Sequence, residues 1–459
     1  VPEPAVPKPS VAALFAHRDY RHLFTAQLAA LFGTGLTTVA LGLLAYQLAG
    51  ARSAAVLGTA LTIKMVAYVS VAPVAAAWAT RVPRRLLLVS LDVVRAATVI
   101  ALPFVDQVWE IYVLIAVLQA ASAAFTPAFQ AVLPDVLPDE RDYTRALSAS
   151  QLASTMESLL SPLLAAALLS VISFHWMFLG TTVGFAASAA LVVSTRIPDA
   201  ARGGDTRVWA RTTAGLRAFA ATPRLRGLMG LNLAVAAVGA VVMVDTVTYV
   251  RDAVGGSSAD VGILLAANGF GTMIVALLLP RFLDARGERP LMLTGAATLL
   301  SAIVAAIALS RIGTDGPRWP VALAVWALIG IGTAMILTPT GRVLRRSTAP
   351  ADRAPIFAAQ FSLSHLCWLL AYPIAGILTT TTGYTVTWSV LAALAALGTA
   401  VAARCWPAHD PEVIEHIHTA GTDPGHVHDA VPVPGGYRHA HTYVIDATHR
   451  RWADALAAH

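Results

Sequence analysis

Four ionisable side chains sit in the middle of apolar runs, where a charge is expensive unless something compensates it. Lys64 lies in LTIKMVAYV, Glu157 in TMESLL, Asp245 in VMVDTVTYV and His365 in FSLSHLCWLL. At bilayer depth such a group costs about 2.5–3.5 kcal/mol, so it tends to face a cavity or a partner. Glu157 is the first choice for a carboxyl that loads and releases a proton. The bland alternative is a structural carboxyl held by a neighbouring helix. Lys64 offers a cation to an anionic group, or snorkels outward without chemistry. His365 stands among Ser362, Ser364, Cys367 and Trp368. Its imidazole can carry a proton or ligate a borderline metal, or bond across a helix interface. Gln27, Gln119, Asn232 and Gln360, with Trp368 as an aromatic wall, could line the same cavity, although helix packing uses such residues too.

A second constellation lies at the end of the chain. Nine of the thirteen histidines fall within 406–459. They include three H-x-H pairs, His416/His418, His426/His428 and His439/His441, accompanied by His409, His449 and several acidic residues. Residues two apart in an extended chain share a side, so each pair can chelate one divalent ion. The Pro, Gly and Asp residues between them predict a flexible string rather than a preformed cage. HTYVIDATHRRW (441–452) alternates enough for a short strand or docking segment.

The elements that position these groups are membrane spans. The composition is 57% hydrophobic and 13% charged, against about 25% charged in soluble domains. Apolar runs long enough to cross about 30 Å of hydrocarbon fall at 23–48, 54–79, 86–104, 109–130, 148–171 and 175–195. A second six fall at 227–250, 258–280, 290–310, 319–340, 355–379 and 384–405. The organisation is therefore a segment 1–22, a six-span half 23–195, a basic linker 196–226, a six-span half 227–405 and a polar tail 406–459. Val1–Ser10 is Pro-rich and polar, with no apolar core of a cleavable signal.

Arginines mark one face. Arg18, Arg21, Arg84, Arg85, Arg141, Arg145, the linker arginines, Arg281, Arg286, Arg289, Arg342, Arg345 and Arg346 all fall on the linker's side. The other side has Arg52, Arg251, Arg311 and Arg318. Basic loops stay in the cytoplasm, which places both termini inside. Scattered loop arginines do not make a nucleic-acid face. Two distant cysteines, Cys367 and Cys405, exclude a disulfide framework. The stretch 207–228 reads as an amphipathic helix lying on the headgroups, with Val208, Trp209, Leu216 and Phe219 as its apolar members. No G-x-x-x-x-G-K-[ST] loop is present, so ATP drive is not expected, and nothing suggests a covalent enzyme.

A faint repeat joins the halves: AAWATRVPRR (76–85) follows the second span and PRFLDARGERP (280–290) the eighth. These turns resemble the G-x-x-x-D-R-x-G-R-R signature of the major facilitator superfamily. The first keeps Arg81, Arg84 and Arg85 but has Ala76, Thr80 and Pro83 where Gly, Asp and Gly are usual; the second keeps Asp284, Gly287 and Arg289. LDVVRA (91–96), LPDVLPDERDYTRALS (133–148), GLR (215–217) and PRLRGL (223–228) resemble the branch of multidrug, siderophore and metal exporters. The resemblance covers 18–405. It implies an all-α integral membrane fold of twelve transmembrane helices in two six-helix bundles that rock about a central cavity.

The resemblance further implies that the second span packs beside the eleventh and the fifth beside the eighth. That would bring Lys64 near His365 and put Asn268 on the Glu157 side. With Thr80 in place of the acidic residue, Asp92 and Arg95 are expected to supply the charge contact that breaks as the halves rock. Pro162, in ESLLSPLLAAAL (157–168), matches the kink position of exporters, with Ser161 and alanines where their glycines lie. The leading expectation is a proton-coupled exporter of a small organic compound in the plasma membrane, monomeric, driven by the proton gradient and needing no cofactor. The alternatives are nickel or cobalt efflux with a metal-binding tail, and a membrane metal or pH sensor.

Overall fold

The structure is a computed structural model that describes residues 14–78, 82–137, 139–197, 208–311, 318–348, 353–411, 413–419, 431–434, 436–445, 449 and 452. Six long helices form the first half: α1 (Arg18–Ala49), α2 (Ser53–Trp78), α3 (Arg84–Ala101), α4 (Val108–Val136), α5 (Glu140–Leu169) and α6 (His175–Val193). A short helix α7 (Val208–Ala221) precedes the second half. There α8 (Pro223–Ala240) runs on through a π-helical turn, Val241–Asp245, an α-helical turn, Thr246–Thr248, and a second π-helical turn, Tyr249–Val254. It is followed by α9 (Ser258–Arg286), α10 (Glu288–Leu309), α11 (Arg318–Arg346), α12 (Arg353–Thr382) and α13 (Tyr384–Cys405).

Local chemistry sets the boundaries. Pro83 stands immediately before α3. At α4 the Glu110 carboxylate accepts from the backbone N–H of Asp106 and Gln107, both at 3.0 Å, satisfying donors that a helix start leaves open. Gly287 (φ +75°) and Gly383 (φ +81°) turn the chain between α9 and α10 and between α12 and α13 without a loop, in a region where a side chain is strained. Among the described residues ten segments are long and apolar enough to cross a membrane; one of them, Arg18–Val71, takes in both α1 and α2, and α5 falls outside the set. Among the described residues there are twelve long helices, as the apolar runs predict.

Within the first half α1 packs on α5 and α6, α2 on α4, and α3 on α4 and α6. Within the second, α8 packs on α12 and α13, α9 on α11, and α10 on α11 and α13. Across the halves α2 lies against α12 and α5 against α9, the pairing implied by the resemblance. The linker helix is docked on α12, with Ala218 and Phe219 buried in the main core and Leu216 exposed. It is held by protein as well as by any lipid surface.

The tail departs from the expected flexible string. Strands β1 (Val413–Thr419), β2 (Val431–Val433) and β3 (Gly436–Thr442) form an antiparallel sheet in the order β1-β3-β2. Its register sets His416 opposite His439 and Val433 opposite Gly436. Alternation within VIEHIHT buries Ile414 and His416 and exposes Glu415 and Ile417, so cross-strand pairing organises what spacing alone left open.

Candidate functional site

Glu157 and Lys64 lie within electrostatic range of each other in the interior, on different helices, α5 and α2. The hydroxyl of Ser161, one turn along α5, donates to Glu157 Oε1 at 3.3 Å, a long bond. The carboxyl approaches α1 where that helix has no side chain: a Cβ on Gly35 would lie 2.5 Å from Glu157 Oε1 and 2.1 Å from Ser161 Oγ. Gly35 is therefore part of the Glu157 site, and sequence reasoning missed it. Only the closeness of two helices, not any motif, reveals it.

Lys64 also lines a small cavity of about 20 Å³ with Thr34, Thr37, Thr38, Gln119 and Ser122, large enough for about one water. Thr34 and Thr38 donate their hydroxyl protons to Ala30 O (2.9 Å) and Thr34 O (3.1 Å), and so turn acceptor lone pairs outward. Gln119 Oε1 is a buried acceptor with no hydrogen-bond partner among the described residues. A cation with the Gln119 acceptor and threonine hydroxyls in one lining, the rest of which is apolar (Leu41, Leu61, Ile115, Leu118 and Phe185), suits a water or a small amphiphilic guest.

His365, on α12, is near enough to Lys64 for electrostatic interaction. Its Nδ1 is 2.6 Å from Phe361 O, so this ring nitrogen donates to its own helix. The ring stacks on Tyr68 of α2, centroids 5.4 Å apart and planes 8° from parallel, and touches Phe361. The stack joins α2 to α12. The structure thus brings Lys64, Glu157 and His365 together, with Tyr68 as a further member that also interacts with Glu157.

Asp245 is elsewhere. It is fully buried in the second half, where Oδ1 accepts from Thr379 Oγ1 (2.9 Å) and Oδ2 from Trp388 Nε1 (2.8 Å). Tyr249, Trp326, Tyr384 and Trp388 pack together around it. Several of the proposed cavity amides tie helices. Asn232 and Gln360 exchange two bonds of 3.2 and 3.3 Å between α8 and α12. Asn268 donates to Trp326 O (3.1 Å) within the second half, not toward Glu157. Gln27 accepts from Ser150 (2.8 Å) between α1 and α5. Trp368 fits against Gly239, where a Cβ would stand 2.4 Å from the indole.

The described contacts between halves run from mid-helix to the end far from the linker. Gly58 and Gly376 let α2 and α12 touch backbone to backbone, and Gly262 lets α9 meet Ala166 of α5. At that far end Tyr46 donates to Asp252, and Arg251 lies over the Tyr46 ring. Toward the linker end the first half keeps a separate apolar core around Tyr20, Leu88, Phe125 and Phe129. This arrangement is closed at the far end.

The charge contacts of the signature turns correct one expectation. Asp92 and Arg95 form an ion pair, but inside the first half, where Asp92 also accepts from Ser188 (2.8 Å) and Arg95 is sandwiched by Phe125 and Phe185. Spaced i, i+3 on one helix face, they tie α3 to α4 and α6 and do not latch the halves. Arg85 donates to Val193 O at the end of α6. Arg84 is half-buried at the start of α3. In the second half Arg289 donates to Trp406 O (2.8 Å) and Ala403 O (3.3 Å). Beside it is a network absent from the sequence reading: Glu288 pairs with Arg342 (2.7 Å) and Arg346 (2.9 Å), Arg346 with Asp410, and Asp410 with Arg224 (3.1 Å). Arg81, His426 and His428 lie outside the described residues, as do the side chains of Pro162, Asp284 and His418.

The sequence profile of the Major Facilitator Superfamily matches residues 23–250 and 228–422. The chain belongs to that superfamily. It is a multi-pass membrane transporter; the first match runs from the first half through α8, and the second covers the second half. No curated protein matches it in sequence. Among solved structures, a D-xylose–proton symporter is 15% identical with a TM-score of 0.63, covering 84% of this chain and 98% of its own. The nucleoside transporter NupG is 13% identical, TM-score 0.61, with the same two coverages. A POT family transporter in complex with 5-aminolevulinic acid is 12% identical, TM-score 0.66, covering 84% and 95%. At such identities the likeness concerns the fold.

Proposed function

We propose that this transporter is a proton-coupled exporter of a small organic compound, working by alternating access as a monomer in the plasma membrane. Both termini and the 196–226 linker face the cytoplasm, on the strength of the arginine asymmetry. The observation that carries the reading is the Glu157–Lys64 pair, two mid-span charges on separate helices, with Lys64 lining a small mixed polar and apolar cavity near the α2–α12 contact. A protonated Glu157 no longer attracts Lys64 or a basic group of a substrate; an ionised one does. Proton and substrate therefore favour different states of one carboxyl, and that differential is what coupling requires. The branch resemblance and Pro162 favour export, and proton coupling is in keeping with a fold shared with a D-xylose–proton symporter.

Nickel or cobalt efflux has weaker support. Among the described residues, the metal-ligating groups that converge on one point are in the tail and not along the bundle interior. A transport path for an ion needs donors along its length. The test is accumulation of a panel of organic cations and neutral amphiphiles in cells with and without the chain. Lower accumulation that a protonophore abolishes is expected. Higher accumulation on expression, or insensitivity to the protonophore, contradicts export or coupling respectively.

A further inference from the structure

The tail sheet gathers three imidazoles that H-x-H spacing does not group. His416 on β1 and His441 at the end of β3 lie diagonally across the ladder, ring centroids 4.9 Å apart. The chain then returns His449 to the same place, with centroids 5.1 Å from His416 and 5.0 Å from His441. One ring nitrogen from each of the three falls within 4.8 Å of the others. His416 and His449 are buried, and buried Tyr443 walls the group, its ring 4.8 Å from His416 and 4.6 Å from His449.

The ring orientations suit a metal. His416 Nδ1 is 3.0 Å from Ile414 O and His441 Nδ1 is 2.8 Å from Thr442 O. A proton on Nδ1 bonded to a carbonyl fixes the tautomer that leaves Nε2 with its lone pair, the usual outer support of a histidine ligand. His416 Nε2 and His449 Nε2 are 3.2 Å apart. Two nitrogens bound to one tetrahedral zinc at about 2.0–2.1 Å stand about 3.3 Å from each other. We propose that His416, His441 and His449 are the protein ligands of one borderline divalent cation of the zinc, cobalt and nickel class, with water or another donor completing the shell.

The ion has a structural consequence. His449 is 33 residues from His416, so a shared ligand clips the returning segment onto the sheet. Three residues beyond, the Trp452 ring lies under the Arg224 guanidinium at 5.0 Å and packs on Tyr443. Arg224 begins α8 and is bonded to Ser347, Arg346 O and Asp410. The cation therefore fastens the tail to the linker end of the second half. None of this depends on what the bundle carries.

The test uses the full chain in detergent, stripped with chelator and titrated with Co²⁺ while visible absorption is read. One equivalent giving a tetrahedral-type spectrum is expected, displaced by Zn²⁺ and lost in His416→Gln, His441→Gln and His449→Gln, while His439→Gln and the double variant His426→Gln/His428→Gln keep it. His449→Cys guards against simple unfolding: it should still bind one Co²⁺ and add a near-ultraviolet thiolate-to-metal band. Absence of stoichiometric binding overturns the proposal and leaves the 3.2 Å contact as an imidazole–imidazole hydrogen bond. Binding kept by all three glutamine variants, or lost with His426 and His428, overturns it in favour of a chelating string.

Discussion

The two halves treat buried acid in opposite ways. Asp245 in the second half has both oxygens filled by short bonds from Thr379 and Trp388 and an aromatic jacket around them. Glu157 in the first half has one long bond from its own helix and a through-space partner in Lys64. Depth alone does not distinguish a working carboxyl from a scaffold one, because both are costly to bury. What separates them is whether neighbouring donors complete the group, since a completed buried network rigidifies and an incomplete one stays responsive. At the linker end the halves differ again. The second half ties α8, α10 and α11 to Asp410, beyond α13, with the Glu288–Arg346–Asp410–Arg224 network, whereas the first half keeps its Asp92–Arg95 pair inside the bundle.

Substitutions can break or sharpen this contrast. The largest effect is expected from Gly58→Leu, which pushes a side chain into the backbone of α12 where a Cβ alone would lie 2.9 Å from Gly376 Cα. Far-end closure should fail and transport should drop at least about tenfold, in line with the cost of overpacking, as measured by uptake into proteoliposomes. Lys64→Met should slow gradient-driven transport by roughly tenfold, a loss of about 1.4 kcal/mol of useful interaction, in the same assay. Asp245→Asn should leave transport within about twofold but lower stability by about 1–3 kcal/mol, because an amide cannot accept from both donors; thermal unfolding in detergent reads this. If transport collapses instead, Asp245 belongs with Glu157 and the contrast fails. The smallest change is expected for Glu288→Gln, about 1 kcal/mol, since Arg342 is half-exposed and Arg346 keeps Asp410.

Much of the fold is legible in the sequence. Continuous apolar runs mark the helices, so the run 258–280 becomes Ser258–Arg286 with only its polar end added. The depth of Lys64 and Glu157 follows from their position within such runs. Their partners were less legible, because a period along one helix says nothing about which face meets which neighbour. Trp388 meets Asp245 across 143 residues, and the sequence marks Arg342 and Arg346 only as loop charges, with nothing to pair them with Glu288. Asn268 was expected to face Glu157 and instead bonds α11, since small residues allow α9 and α11 to approach closely. In the tail, spacing suggests histidine pairs along a flexible string, whereas the ladder register and the position of His449 bring His416 to His441 and His449.

The central claim is that Glu157 carries the coupled proton, and Glu157→Gln in proteoliposomes tests it most directly. Substrate counterflow without a pH gradient should persist, since the cavity is intact, while accumulation driven by a pH gradient and the accompanying proton flux should fall to background. Undiminished gradient-driven accumulation in that variant, with proton movement retained, would place the proton on another group and contradict the account.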